Sequence, residues 1–258
     1  MVVPVRYPPD ARMHWQGVGL THRGLRRRRN EDALLVRPET RLYAVADGMG
    51  GHAAGDIASR LAVDTLDAAF TRPPSPRIRA AAMAQRLVSA FEIANRAILE
   101  HSVADQACSG MGTTLTAVCP LAAVPQCVIA HIGDSRLYRL RERELMQLTG
   151  DHTWVQQQVD AGMLTPAQAR HHPLSSVLNR VLGTEAVGPA DTLVVDVRPG
   201  DLLLLCSDGL TTMLEDDDIR GLLDRDVPLD RHARDLVETA NLYGGHDNIT
   251  VIVLAASA

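Results

Sequence analysis

Residues 42–52 read LYAVADGMGGH, an apolar run that feeds directly into Asp47-Gly48 and then into a glycine-rich turn. Five apolar residues closed by a turn signal predict a buried strand, Leu42 to Ala46. The same pattern recurs in LLLLCSDGL (202–210), a strand Leu202 to Cys206 leading to Asp208, while HDN (246–248) opens a closing strand Asn248 to Leu254. NED (30–32) and HIGDS (131–135) set Asp32 and Asp134 at further strand ends. One Asp-Gly pair is an ordinary turn. Repeated at strands far apart in sequence, such ends hold carboxylates rigidly at a sheet edge, where they can converge.

Outward from this stretch the pattern is antiparallel. His14 to Thr21, Ala33 to Val36 and Leu42 to Ala46 give three strands in the first 46 residues, close enough together to predict hairpins. Two helices follow, Gly55 to Phe70 and Ile78 to His101, each with an apolar stripe at 3.6-residue spacing and separated by the helix-breaking TRPPSPR. Strands return at Thr113 to Cys119, Cys127 to Ile132 and Arg136 to Leu140. Arg141 to Glu144 then turns into a short strand ending near Leu148, and the group reads as a second meander. Asp151 to Pro173 is polar, weakly patterned and too long for an ordinary connection, so it reads as a mobile flap with helical pieces, closed by His171 and His172. Strands Thr192 to Val197 and Leu202 to Cys206 join at Pro199-Gly200, and a helix Arg231 to Leu242 stops at Gly244-Gly245.

The chain has 258 residues, 46% of them hydrophobic, which predicts one domain over 1–258 with a flexible N-terminus over about 1–13. Lys and Arg number 26 against 31 Asp and Glu, and aromatics are 3%, so neither a basic surface nor stacking platforms for nucleic acid are expected. The longest apolar run, Val251 to Ala256, is far short of the roughly 18–20 residues that cross a bilayer, and the N-terminus lacks the apolar segment of a secretory signal. Cys108, Cys119, Cys127 and Cys206 form no C-x-x-C pair and lie mostly in apolar runs, which predicts reduced core thiols in a cytoplasmic protein.

If Asp32, Asp47, Asp208 and Asp247 meet, their four charges match two divalent cations. An all-oxygen donor set suits Mg²⁺ or Mn²⁺ better than Zn²⁺. Two such ions can generate hydroxide at neutral pH and clamp a phosphoryl group for in-line attack. Other phosphate chemistries are missing from the chain. Six residues beyond the cysteines stand Thr114, Pro125, Gly133 and Thr212, so there is no C-x5-R loop, and neither D-x-D-x-T/V nor a P-loop signature occurs.

The ordered series GLRRRRNED, VADGMGGHAAGDIAS, MGTTL, HIGDSRLYRL, TGDHTW, LLLLCSDGLT and GGHDNIT, from about Gly19 to Val253, resembles the bacterial branch of the metal-dependent PP2C-type protein serine/threonine phosphatases. The resemblance implies an α+β fold: a four-layer αββα sandwich of two antiparallel sheets flanked by helix pairs. It implies hydrolysis of phosphoserine and phosphothreonine by a metal-activated water at a binuclear Mn²⁺ or Mg²⁺ centre. Carried over residue by residue, Asp47 matches the aspartate shared by both ions and the Gly48 carbonyl a ligand of the second. Asp208 and Asp247 complete the first, and Asp32, with Glu31, lies on the second ion's side. Asp134 matches a holder of a weaker third ion. Arg27, within Arg26 to Arg29, matches the arginine that grips the substrate phosphate. His52 stands later than the histidine that follows Asp-Gly directly in eukaryotic members; it is a candidate general acid, with hydrogen-bond support of the site as its competing role. The implied partners are phosphorylated proteins, a serine/threonine kinase or its substrates among them, with the phosphatase acting as a monomer. Two other readings are an inactive phosphoprotein-binding adaptor, which would be expected to lack metal ligands, and a metal-dependent hydrolase of small phosphate esters.

Overall fold

The structure, a computed structural model, describes residues 13–49, 54–185 and 187–257. The chain begins with β1 (His14–His22), β2 (Asp32–Arg37) and β3 (Leu42–Met49), then α1 (Gly55–Ala69) and α2 (Ala80–Ala104). Next come β4 (Gly112–Thr113), β5 (Leu115–Pro120), β6 (Gln126–Ile132), β7 (Arg136–Arg141) and β8 (Glu144–Gln147). The short helices α3 (Trp154–Asp160) and α4 (Pro166–Arg170) precede β9 (Asp191–Asp196) and β10 (Leu202–Cys206). Three helices, α5 (Asp208–Thr211), α6 (Asp216–Leu223) and α7 (Leu229–Leu242), lead to β11 (Ile249–Ser257).

Among the described residues the strands form two sheets. One runs β1-β11-β10-β7-β8; the other runs β2-β3-β5-β6-β9, with β4 alongside β3. Every pairing is antiparallel. The inner faces interlock through Tyr43, Val45, Ile129, Leu203, Leu205 and Ile252. Helices α1 and α2 cover the second sheet with Ala58, Ala62, Leu66, Leu87, Phe91 and Ile98. On the other side α6 and α7 cover the first sheet with Ile219, Leu223, Leu236 and Ala240. This is the four-layer sandwich. Small side chains dominate α1, which lets it lie close on the sheet, and both phenylalanines of the chain, Phe70 and Phe91, are fully buried on this side.

The hairpin and meander expectations need correction. β2 and β3 do form a hairpin, but β1 pairs with β11 in the other sheet. β5-β6 and β7-β8 are hairpins of different sheets, so the chain crosses between layers at Gly133-Asp134-Ser135. β9 and β10 likewise lie in different sheets on either side of Pro199-Gly200. Strand periodicity reports which residues face apolar surroundings, and both sheets offer such a face, so pairing partners are not encoded in it. The expected strand Thr113 to Cys119 is two strands, β4 and β5, and the helices α5 and α6 lie outside the expected elements, since four and eight residues are too few to establish a helical period.

Candidate functional site

The strand directions bring the aspartates to one end of the sandwich. β2 begins at Asp32 where its neighbour β3 ends, and Asp32 and Asp47 are register partners. β3 and β6 both run antiparallel to β5, so β6 ends at the same edge, delivering Asp134 at the crossing. β10 ends where β7 begins, Cys206 opposite Arg136, and where β11 begins, so Asp208 and Asp247 arrive at that edge from the other sheet.

Two glycines make the packing here possible. Gly133 has φ +111°, and a Cβ on it would lie 2.5 Å from the Thr114 side chain, so the chain can cross tightly beneath Asp134. A Cβ on Gly48 would lie 2.0 Å from the Gly55 carbonyl and 2.6 Å from that of Glu31, which shows how closely β3 approaches the start of α1. Gly55 belongs to the same close approach, since a Cβ on it would lie 2.9 Å from the Gly48 carbonyl. Gly50, Gly51 and His52 lie outside the described residues.

Hydroxyls and one amide hold the Asp32 carboxylate and the backbone around the other acidic residues in place. Ser207 Oγ donates to Asp32 Oδ2 at 2.8 Å, while Asp32 Oδ1 is buried with no hydrogen-bond partner. Thr114 Oγ1 accepts from Asp47 N at 2.9 Å and shares a 2.7 Å bond with Ser135. The buried Asn248 accepts from Glu31 N at 2.7 Å and donates to the carbonyls of Arg23 and Arg29 at 2.8 Å each, tying the arginine loop to the aspartate beside it. Within that loop, Arg27 Nη2 meets Asp247 Oδ2 at 2.5 Å, whereas Arg26 and Arg29 contribute backbone groups, to Gly245 and Asn248. Ser207, Thr114, Ser135 and Asn248 all stand inside the quoted motifs, but a hydroxyl or amide next to an aspartate carries no signal of its own in a single sequence.

The surrounding protein desolvates Asp32, Asp47, Asp134, Asp208 and Glu31, which raises these carboxyls above their ordinary range. Burial pushes Asp32 up to about 7, opposed by hydrogen bonds from Thr250 and Ser207 and assisted by the charges of Asp208 and Asp247. Asp47 is raised well above its ordinary value by burial and then by Asp32, Asp208, Asp134 and Asp247. Burial and Asp208 raise Asp134, with Arg136 opposing. Burial and Asp247 raise Asp208, opposed by a hydrogen bond with Asp47 and by Arg27 and Arg136. Glu31 is raised by burial, against the pull of Arg27. No three of these described carboxylates bring oxygens within 4.8 Å of one another. All-oxygen donors, mutual repulsion and an unpartnered buried oxygen are the properties of a site for hard divalent cations.

Residues 18–249 match the protein phosphatase 2C family. The chain belongs to the protein phosphatase 2C family. It is 39% identical over 237 residues to the serine/threonine phosphatase stp of Listeria monocytogenes, covering 91% of this chain and 93% of that one. The crystal structure of the Mycobacterium tuberculosis serine/threonine phosphatase PstP/Ppp superposes with TM-score 0.85 at 39% identity, over 95% of this chain and 99% of that one. A catalytic domain of PstP in complex with two manganese ions superposes with TM-score 0.83 at 37% identity, over 95% and 100%.

In this phosphatase the segment 151–173 starts from fixed structure. The Arg136 guanidinium, two residues after Asp134, bonds both oxygens of Asp151, the shorter contact being 2.6 Å. On the other side of Asp134, Gly133 N donates to His152 Nδ1 at 2.9 Å and His152 N donates to the Gly133 carbonyl at 2.8 Å. Beyond this root the helical pieces expected from the sequence are α3, capped by Thr153, and α4, with a Thr165-Gln168 capping box. His172 packs against Trp154 at 5.2 Å between ring centres, and His171 is exposed. Among the described residues no helix is long and apolar enough to cross a membrane.

Proposed function

We propose that this phosphatase hydrolyses phosphoserine and phosphothreonine in proteins at a two-ion Mn²⁺ or Mg²⁺ centre held by Asp47, Asp208, Asp247, Asp32 and the Gly48 carbonyl. Glu31 supports the ion nearest Asp32, and Asp134 holds a weaker third. The observation that carries this reading is the arrival of five aspartates at one end of the sandwich, four of them (Asp32, Asp47, Asp134 and Asp208) desolvated, with Asp32 Oδ1 unpartnered. When bound, the ions neutralise these carboxylates, acidify water and polarise the phosphoryl group.

The chain's own residues do the remaining work. Asn248 fixes the arginine loop so that Arg27 stands at the rim with its guanidinium against Asp247, placed to take a phosphate oxygen. Ser207 orients the Asp32 carboxylate and Thr114 anchors the Asp47 backbone, which helps preorganise the donor set. His52 is the candidate imidazole to protonate the departing serine or threonine oxygen, with hydrogen-bond support of the site as its competing role. The relatives' activity on serine and threonine supports the substrate class, and a kinase or its targets are the partners we infer. Four unpaired buried thiols support a cytoplasmic setting, and we infer action as a monomer. Asp47→Asn and Asp208→Asn should each reduce phosphopeptide hydrolysis to background while circular dichroism stays that of the parent. Retained turnover in either variant would remove that residue from the centre.

A further inference from the structure

Away from the aspartate cluster, the far end of α2 gathers a different donor set. His101 in its last turn, Asp105 as its C-cap and Cys108 in the turn that follows bring one ligand atom each within 4.8 Å of one another. Among the described residues this is the one such group of three. We propose that His101, Asp105 and Cys108 form a second metal site, for a thiophilic divalent cation of the Zn²⁺ class, separate from the catalytic centre in place and in chemistry.

The geometry is close to what such an ion requires. Bonds of about 2.0–2.3 Å to N, O and S donors on a tetrahedral ion put the donor atoms about 3.3–3.8 Å apart. Asp105 Oδ2 and Cys108 Sγ already stand 3.7 Å apart. The carboxylate is oriented by the backbone, because Ala107 N donates to Asp105 Oδ1 at 2.9 Å and leaves Oδ2 to face the sulfur. Cys108 is itself fixed, its N–H bonded to the Asp105 carbonyl at 2.9 Å and its carbonyl accepting from Met111 N at 3.1 Å. The half-buried His101 ring stands within 4.8 Å of both other donors, and side-chain torsions can bring it to the coordinated spacing.

Electrostatics favours a cation at this position. α2 spans 25 residues, and the C-terminal end of a helix carries unsatisfied carbonyls and a partial negative charge. Burial and the neighbouring Asp105 hold the Cys108 thiol above its ordinary range, so without metal the sulfur keeps its proton. Binding exchanges that proton for the ion: the S–H bond breaks, the metal–sulfur bond forms, and H⁺ leaves to solvent, so affinity rises with pH. Three protein ligands leave a fourth position for water or an exchangeable ligand. Cys108 lies four residues before Gly112, which starts β4, the strand paired with Gly48 and Met49. An ion here would brace the turn that carries β4 to the catalytic edge.

Sulfur separates this site from the catalytic one, whose donors are oxygens. The test is titration of the purified, chelator-treated protein with Co²⁺, followed by optical absorption, with Zn²⁺ as competitor. One equivalent should develop a sulfur-to-cobalt charge-transfer band that Zn²⁺ removes. Cys108→Ser should abolish the band, and His101→Ala should weaken binding at least tenfold, a change at a half-buried helix end that covers any packing fault in the cysteine variant. Asp208→Asn should leave the band in place. Absence of the band at saturating Co²⁺, or its persistence in Cys108→Ser, would overturn the proposal.

Discussion

Asp32 has one oxygen bonded to Ser207 and the other buried without a partner, and this asymmetry sets how the metal-free protein should respond to pH. Its carboxyl, pushed up to about 7 chiefly by burial, ionises near 4 in an unfolded chain. Between about pH 4 and about pH 7 the folded state therefore binds more protons than the unfolded one, and stability falls as pH rises. The contribution is fully present below about pH 4 and lost above about pH 7. In chelator, Asp32→Asn should melt at a higher temperature than the parent at pH 8, with the gap closing at pH 5; Mn²⁺ should stabilise the parent more than the variant. A gap that shrinks as pH rises would refute the desolvated carboxyl. Arg27 supports a second expectation. Of Arg26, Arg27 and Arg29, only Arg27 turns its guanidinium onto a site carboxylate, so Arg27→Ala should raise KM for a small aryl phosphate roughly tenfold with kcat little changed, as for loss of a hydrogen bond to a charged group. Arg26→Ala and Arg29→Ala should do little. Equal effects from the neighbours would place the phosphate elsewhere in the loop. The sequence made these aspartates legible because each ends an apolar run. Asn248, Ser207 and Thr114 were not legible as supports, since their role lies in bonds to residues as far as 225 positions away.

At the scale of elements, the segment 151–173 divides into a root and an outer part. Arg136-Asp151 and Gly133-His152 fix the root on both sides of Asp134, while α3 and α4 stand beyond it and Met163 between them is exposed. α4 is tied at its far end, Arg170 donating to the Leu214 carbonyl at 3.0 Å and pairing with the exposed Glu215. We expect the outer part to read the protein substrate, because the phosphoryl chemistry needs only the groups at the strand ends whereas discrimination needs contact along the peptide. Replacing residues 154–173 with those of a distant relative should change relative rates on different phosphopeptides more than the rate on an aryl phosphate. Collapse of aryl phosphate turnover with unchanged peptide preference would show that the segment instead supports the ion site. Its length and polarity marked the segment in the sequence. The root was hidden, because Asp151 reads as one more polar residue until Arg136 is seen against it.

Across the whole molecule, most strand and helix positions followed from apolar period, whereas the assignment of strands to sheets did not. β1 and β2 are neighbours in sequence yet lie in different layers, and the residues between them form the arginine loop. β6 and β7 part in the same way at Asp134. These crossings build the site: a meander would have left the aspartates of the two sheets apart, while antiparallel sheets exchanging strands at one end bring Asp32, Asp47 and Asp134 against Asp208 and Asp247. The central claim is that this edge is a divalent-cation centre for phosphoprotein hydrolysis. Phosphate release from a phosphothreonine peptide, measured after exhaustive chelation and again after adding Mn²⁺, tests it most directly. The account predicts no release from the chelated protein and full recovery with Mn²⁺; undiminished release after chelation would contradict it.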